Sequence, residues 1–247
     1  MRRDMAILLS TAGLGAVAIW GGPALETVRD MDTFRVADVQ VKGIHYLTEE
    51  AVVDLLGITP ETSVWSDTEI WTDRVLAHPL VRTARVRRRL PDGLTVELTE
   101  REPIALAPTP TLEPIDAEGY RLPLDPAVYR LDLPVIYTSR TPPAGARLVP
   151  EDVRRLADEV RHLMAADTTF LQRVSSVAWT DRGSIIVSWT EPPVDFLMPT
   201  QAPAARLREG LGALADAASK TPDRMPTTVD LRFEDQVVVR RSPRTRS

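Results

Sequence analysis

Residues 78–106, HPLVRTARVRRRLPDGLTVELTEREPIAL, decide the fold, because two runs of alternating residues lie on either side of a turn. Apolar side chains alternate with Arg in the first run and with Thr or Glu in the second. This two-residue period is that of a half-buried strand. Pro91-Asp92-Gly93 has the composition of a three-residue hairpin loop, in which Pro fixes φ and Gly can adopt the left-handed conformation. The stretch therefore predicts a β-hairpin with one buried face.

The predicted loop also determines which residues face each other across the hairpin. Counting outward from the loop, the expected pairs are Leu90 with Leu94, Arg88 with Val96, Arg87 with Glu97, and Val86 with Leu98. An apolar pair on the buried face and an ion pair on the solvent face both stabilise a hairpin. Arg88 falls on the apolar face, where its aliphatic stem would lie while its charged head reaches an edge.

Composition excludes several classes of protein. The chain has 247 residues, a formal net charge of −5 and no cysteine, so disulfides, thiolate metal sites and a Cys nucleophile are excluded. A mildly acidic chain of this length fits one large domain or two ordinary ones and does not favour nucleic-acid binding. The three histidines, His45, His78 and His162, have no spacing that would gather metal ligands. We predict no catalytic, cofactor-binding or metal-binding residue.

The N-terminal stretch has the pattern of a membrane anchor. An uncharged run, MAILLSTAGLGAVAIWGGPAL at 5–25, follows Arg2 and Arg3. About 20 apolar residues span a bilayer, and basic residues stay on its cytoplasmic side. This pattern predicts a cytoplasmic tail at 1–4, a transmembrane helix at 5–25 and an extracytoplasmic remainder. The alternative is a cleaved signal peptide, because Ala16-Val17-Ala18 resembles a cleavage site.

The region from 34 to 103 predicts a small domain of strand, helix, helix, strand and strand. A strand from Phe34 to Val41 is followed by a helix that Thr48 caps and Gly57 ends. Ser66 with Glu69 has the spacing of a capping box at the start of the second helix. The hairpin described above completes the domain.

Beyond it, Pro103 to Pro114 is rich in Pro, Ala and Thr and predicts a linker. Two stretches with helical apolar stripes, Pro150 to Met164 and Pro203 to Ser219, predict helices. Strands are predicted at Val135 to Thr138, Val174 to Thr180, Ser184 to Trp189, Val194 to Met198 and Thr228 to Arg240. The fold class is therefore α+β, with a distal mixed α/β domain at 104–241, an antiparallel-rich sheet, two helices and a basic tail at 242–247.

These elements resemble a known family. The order of elements, the Val-x-Val-x-Gly of 39–43 and residues 78–106 resemble the POTRA domain, and specifically the bacterial FtsQ (DivIB) family of cell division proteins. Asp116-Ala117-Glu118-Gly119 is similar to the turn that begins the family's second domain, and Val229 to Phe233 is similar to its closing strand. The resemblance implies a single-pass inner-membrane protein with a periplasmic bulk, which acts at the division septum as a scaffold and not as an enzyme.

The final predicted strand is the candidate binding element. Val229, Leu231, Phe233, Val237 and Val239 share one face, and a long last strand is often an open sheet edge. The resemblance implies that FtsB and FtsL bind here, with a segment of FtsB adding a strand. We therefore predict a set of partner-binding residues in this strand and at a nearby hairpin tip. They are Arg232, Phe233, Glu234, Asp235, Gln236, Val237, Val238 and Arg182.

Three alternatives remain open from the sequence. Phe233 is either an exposed anchor or a core residue. The protein is either a division scaffold or a POTRA chaperone for outer-membrane or secretion assembly. Asp116 and Glu118 would be the paired carboxylates of a cell-wall hydrolase, although their Asp-Ala-Glu-Gly context favours a turn.

Overall fold

A computed structural model describes residues 32–109, 111–138, 146–221 and 224–241. The chain divides into two compact units between Glu100 and Arg101. The predicted transmembrane helix at 5–25 and the basic tail at 242–247 lie outside the described residues. Within the described ranges, no helix combines the length and the apolar character needed to cross a membrane.

The first unit has the predicted order of elements. A 3-10 turn at Asp32–Phe34 precedes one helix pair and a three-stranded sheet. The elements are β1 (Asp38–Lys42), α1 (Glu49–Leu56), α2 (Thr68–Leu76), β2 (Val81–Arg89) and β3 (Gly93–Glu100). In the sheet β3 is central, parallel to β1 and antiparallel to β2. Both helices bury one stripe against this sheet, where Val52, Leu56, Trp71, Val75, Leu94 and Val96 form the core.

Local signals located most of the helix ends in this unit. The Thr48 hydroxyl accepts a hydrogen bond from the Ala51 amide at 3.2 Å, and Gly57 ends α1 with a φ of 62°, as predicted. The prediction that Ser66 caps α2 was wrong. Asp67 is the cap, since its carboxylate accepts the Glu69 amide at 2.8 Å. The first strand is also shorter than predicted, because the chain is still in a 3-10 turn at Phe34.

The hairpin between β2 and β3 forms, but the predicted register was wrong by two residues. Arg89 pairs with Gly93 and Val86 pairs with Val96, so the loop is Leu90-Pro91-Asp92. Gly93 cannot belong to the loop because it also pairs with Asp38 of β1, which draws it into the sheet. Leu90, placed in the core by the prediction, is instead 55% exposed.

The two-residue shift leaves the side chains within β2 and β3 on their predicted faces, because the strand period is two. Arg87 and Glu97 still form an ion pair, at 3.6 Å along a diagonal. Arg88 lies on the core side, where its Nε donates to the Val64 carbonyl at 2.9 Å and its Nη2 to the Ser66 carbonyl at 2.8 Å. These hydrogen bonds to the loop before α2 explain why an arginine is tolerated on the apolar face of the hairpin.

The described residues of the second unit contain one eight-stranded mixed sheet and three helices. The strands are β4 (Ala105–Thr109), β5 (Thr111–Ile115), β6 (Val135–Tyr137), β7 (Val174–Trp179), β8 (Ile185–Trp189), β9 (Val194–Met198), β10 (Pro226–Asp230) and β11 (Val238–Arg241). Their order across the sheet is β11-β10-β9-β8-β7-β6-β4-β5. The helices are α3 (Glu151–Ala166), the short α4 (Thr168–Leu171) and α5 (Ala204–Lys220).

The linker predicted at Pro103 to Pro114 was wrong, because this stretch forms the antiparallel pair of β4 and β5. Its prolines are tolerated by their position in the sheet. Pro114 lies on the outermost strand, and Pro108 lies beyond the pair of Leu106 with Val135 that joins β4 to β6. A missing N–H costs little where no neighbouring strand needs it.

The core of the second unit lies between the sheet and the helices α3 and α5. Phe170, Trp189 and Phe196 meet with ring centroids 4.8 to 5.2 Å apart. Such tilted aromatic contacts add to the free energy gained by burying the rings. Aliphatic residues complete the core, among them Ile136, Val153, Leu156, Val160, Val177, Ile185, Val187, Leu207 and Val229. This packing fixes the position of β9 and β10, the inner neighbours of the candidate site.

Candidate protein-binding site

The single final strand predicted at Thr228 to Arg240 was wrong, because the structure divides it into two. β10 and β11 run antiparallel and are joined by the loop 231–237. The chain leaves the strand direction just after Leu231, whose amide donates to the Leu197 carbonyl of β9 at 2.7 Å. Phe233, Glu234, Asp235 and most of the other predicted binding residues therefore lie in a loop and not in a strand.

β11 is the outermost strand of the sheet, and within the described ranges it pairs only with β10. Backbone groups of successive strand residues point to opposite sides. Since the amide of Leu231 faces β9, the backbone of Asp230 faces β11, where its partner is Val238. The N–H and C=O of Val239 consequently face the open side of the sheet. An open edge of this kind is a template for another strand.

Arg206 of α5 holds the loop 231–237 in place. Its side chain is buried, its Nε donates to the Leu231 carbonyl at 3.1 Å and its Nη2 donates to the Gln236 carbonyl at 2.6 Å. Nη2 also donates to the carbonyl of Phe233, and Nη1 pairs with Glu209. One guanidinium thus fixes three backbone positions of the loop.

A second charged pair lies at the start of this loop. Asp230 is fully buried, and its two carboxylate oxygens accept hydrogen bonds from Nε and Nη2 of Arg232 at 2.8 and 2.7 Å. Nη2 of Arg240 lies 3.9 Å from the same carboxylate. The hydrogen bond from Arg232 lowers the pKa of Asp230, against the opposing effect of burial. The same bond raises the pKa of Arg232.

Phe233 is 42% exposed, so it is not a core residue. It lines a shallow concavity of 390 Å³ together with Arg232, Arg182 and Thr200. Arg182 occupies the hairpin turn between β7 and β8, far from Phe233 in the sequence. The structure therefore gathers one exposed aromatic ring and two arginines on one surface, and two of these three residues belong to the loop that leads into β11.

The remaining predicted residues have different surroundings. Glu234, Asp235 and Gln236 are exposed in the loop, whereas Val237 is partly buried and packs against the core. Val238 is partly buried in β11. The sequence interpretation missed Arg206, because its partners are backbone carbonyls, which leave no pattern in a sequence.

Asp116 and Glu118 form a turn. One oxygen of Asp116 accepts the amides of Glu118 and Tyr120 at 3.0 and 2.8 Å, and the other accepts Nη1 of Arg101 at 2.5 Å. The same nitrogen reaches Glu118 at 2.9 Å, and Gly119 completes the turn with a φ of 83°. The described residues contain no group of three His, Asp or Glu side chains arranged to hold a metal ion.

Comparisons with known proteins show which proteins this chain resembles. Residues 34–101 match the model described as POTRA domain, FtsQ-type. Cell division protein FtsQ of Myxococcus fulvus is 30% identical over 136 residues, which are 54% of this chain and 48% of that protein. Cell division protein FtsQ of Syntrophotalea carbinolica is 33% identical over 132 residues, which are 52% of this chain and 46% of that protein.

The alignments with these two relatives thus span about half of their length. A longer alignment joins the chain to cell division protein FtsQ of Rhodothermus marinus, with 26% identity over 249 residues, 97% of this chain and 88% of that protein. The matched residues contain β1, α1, α2, β2 and β3 of the first unit. Residues 34–101 are therefore an FtsQ-type POTRA domain, and the chain is similar to cell division proteins FtsQ and DivIB.

Proposed function

We propose that this protein is a non-enzymatic scaffold of the division machinery that holds FtsB and FtsL through the edge strand β11 and the loop before it. By holding this pair at the septum, it would help to gate septal peptidoglycan synthesis. The observation that carries the proposal is the open outer side of β11, together with the exposed ring of Phe233 in the loop that leads into this strand. The name cell division protein, which the relatives carry, supports it.

The open edge suits the addition of an extended segment of FtsB. In this mode, main-chain hydrogen bonds supply affinity and side-chain pockets supply selectivity. The outward N–H and C=O of Val239 provide the first of these, and the concavity beside Phe233 provides the second.

The charges at the site suit an acidic partner. Arg182 and Arg232 line the same concavity, and Arg240 on β11 is exposed. Electrostatic complementarity of this kind raises association rates and selects against wrong partners. Phe233 would be the aromatic anchor, the residue type that most often dominates binding energy.

The proposed location is the inner membrane, with the N-terminus in the cytoplasm and both units in the periplasm. The uncharged run at 5–25 after Arg2 and Arg3 supports an anchor. This arrangement would bring the site to the compartment in which the septal wall is made. Cleavage at Ala16-Val17-Ala18 would instead release the protein, and the mass of the mature chain distinguishes the two.

The test is a binding titration of the full chain, purified in detergent micelles, with the periplasmic segment of FtsB. We expect Phe233→Ala to weaken binding by about 2 kcal/mol, or roughly 30-fold, because truncation of a central aromatic anchor has this effect. Tyr137→Ala is the matched control, since Tyr137 is an aromatic side chain of 54% exposure on a different strand.

Circular dichroism must show that both variants are folded. Binding by the wild type that Phe233→Ala does not weaken would contradict the role of Phe233. No binding by the wild type would remove the proposed mechanism and favour a POTRA chaperone of outer-membrane or secretion assembly.

A further inference from the structure

We infer that Arg206 is the positioning residue of the docking edge, defined as residues 231–241, and that α5 holds this edge at both ends. The inference rests on the proposed function of β11. It explains how a short strand at the margin of a sheet is kept ready for a partner.

The docking edge needs support from outside the sheet. β11 has four residues and, in the described part of the chain, a neighbouring strand on one side only. Segments with few buried contacts and one hydrogen-bonded side open at low free-energy cost. A partner that added a strand to such a segment would first have to order it, which weakens binding.

Arg206 supports the first end of the docking edge. Its buried guanidinium binds the carbonyls of Leu231, Phe233 and Gln236, which span the loop that leads into β11. The planar fork of Arg spreads five donors over three nitrogens and can reach carbonyls that lie apart, whereas Lys presents its three donors from a single nitrogen. The side chain of Arg206 makes no part of the exposed concavity, so it acts on a partner only through the loop.

Arg241 supports the other end. It is the last residue of β11, and its Nη2 donates to the Ala217 carbonyl of α5 at 2.7 Å. Its Nε donates to the Arg224 carbonyl at 3.2 Å. Two arginines therefore connect the docking edge to one helix, one from the helix to the loop and one from the strand to the helix.

The first test measures amide hydrogen exchange of the full chain in detergent micelles and needs no partner. In Arg206→Met we expect the amides of 231–241 to exchange about tenfold faster or more, because the loop loses three carbonyl contacts. Amides of β7 and β8 should keep their wild-type rates. The matched control is Arg208→Met, two residues along α5, since Arg208 is exposed and its Nε donates to the Ala204 carbonyl of its own helix at 3.4 Å.

Arg206→Lys is the second variant, which keeps the charge if Arg206→Met does not fold. It should also speed exchange of 231–241, by a smaller factor, because one ammonium reaches fewer of the carbonyls. Unchanged exchange of 231–241 in a folded Arg206 variant would overturn the inference. General acceleration that includes β7 and β8 would do the same, since it would show a merely structural role.

The second test uses the FtsB segment of the proposed function. We expect Arg206→Met to weaken its binding about tenfold, and we expect Phe233→Ala to have a smaller effect in the Arg206→Met background than alone. Strictly additive effects would overturn positioning through the loop. If the wild type does not bind, the proposed function fails and the exchange experiment alone decides the role of Arg206.

Discussion

The two edges of the sheet in the second unit are built in opposite ways. At the β5 edge, Pro114 has no N–H to offer, and its carbonyl accepts the Leu122 amide at 2.8 Å. Arg121 of the same covering segment pairs with Glu113 of β5 at 3.2 Å. At the β11 edge, no other described residue pairs with the outer side of the strand. Among the described residues, the chain covers one edge with its own segment and leaves the other edge open.

The charged pairs at the two edges make the same distinction. Arg121 and Leu122 belong to the segment that lies along the outer side of β5. The ion pair of Arg121 with Glu113 therefore holds this segment against the strand. Asp230 and Arg232 are two residues apart, so their bond shapes the loop before β11 and leaves the strand accessible. Natural proteins normally protect sheet edges, and an edge that is held in shape but not covered is a candidate binding surface.

The largest expected effect is on stability, and it compares the two pairs. Asp230→Asn should lower the free energy of unfolding by about 2 kcal/mol, because it removes a fully buried partner of Arg232. Glu113→Gln should cost less than about 1 kcal/mol, because the Glu113 side chain is 35% exposed and solvent screens its pair. Urea denaturation measures both. Equal losses of unfolding free energy in the two variants would show that burial does not make the Asp230 pair stronger than the Glu113 pair.

The next prediction tests the edges directly by placing proline at an outward-facing position of each. Val239→Pro removes an amide that faces the open side, so binding of the FtsB segment should weaken about tenfold with little change in melting temperature. Leu112→Pro is the control on β5, where Leu112 has the same parity as the outward-facing Pro114. If Leu112→Pro weakened binding of the FtsB segment and Val239→Pro did not, the docking surface would lie at the β5 edge and not at the β11 edge.

A smaller effect tests the packing of α5 beneath the docking edge. A Cβ at Gly210 would lie 2.9 Å from both Cδ atoms of the buried Leu231, whereas a Cβ at Gly212 would meet nothing within 4 Å. Gly212→Ala should stabilise the protein by up to about 1 kcal/mol through helix propensity. Gly210→Ala should lose that gain and speed amide exchange at Leu231. The two variants would have equal stability if Leu231 did not depend on this close approach.

The smallest expected effect is on pH dependence. The pKa of Asp230 is lowered in the folded protein, so its contribution to stability is present above its unfolded pKa of about 4 and is lost as pH falls below that value. The difference in unfolding free energy between wild type and Asp230→Asn should therefore shrink as pH falls from neutral towards 2.5. The pKa of Glu151 is also lowered, by Arg155. Because Glu151 is present in both proteins, its contribution to the pH dependence of stability cancels in the difference. If the difference in unfolding free energy did not change with pH, the stabilisation would not come from the ionised Asp230 carboxylate.

Local chemistry allowed much of the fold to be predicted from the sequence. The Thr48 cap and the Gly57 end of α1 are decided by neighbouring backbone groups, and the amphipathic stripes of α3 and α5 by a period of 3.6 residues. Alternation likewise located β7, β8 and β9. For the candidate site, the sequence named Phe233 and Arg182, and both residues line one concavity in the structure. Their role in binding stays a prediction.

What remained unpredictable depended on partners distant in the sequence. The hairpin register changed because Gly93 also pairs with Asp38 of β1, and the predicted linker became strands because β6 supplies a neighbour for β4. The domain limits, the anchor and the partner contacts stay predictions.

The sequence by itself determined the order of the elements in the POTRA domain and the faces of its strands, because alternation, caps and turns act between near neighbours. Only the tertiary structure decided where the final strand breaks and which edge stays open. Those outcomes depend on bonds from Arg206 to the carbonyls of 231–236 and from Leu122 to Pro114, and backbone carbonyls are the same in every residue. Nothing in a list of side chains distinguishes them until the chain has folded.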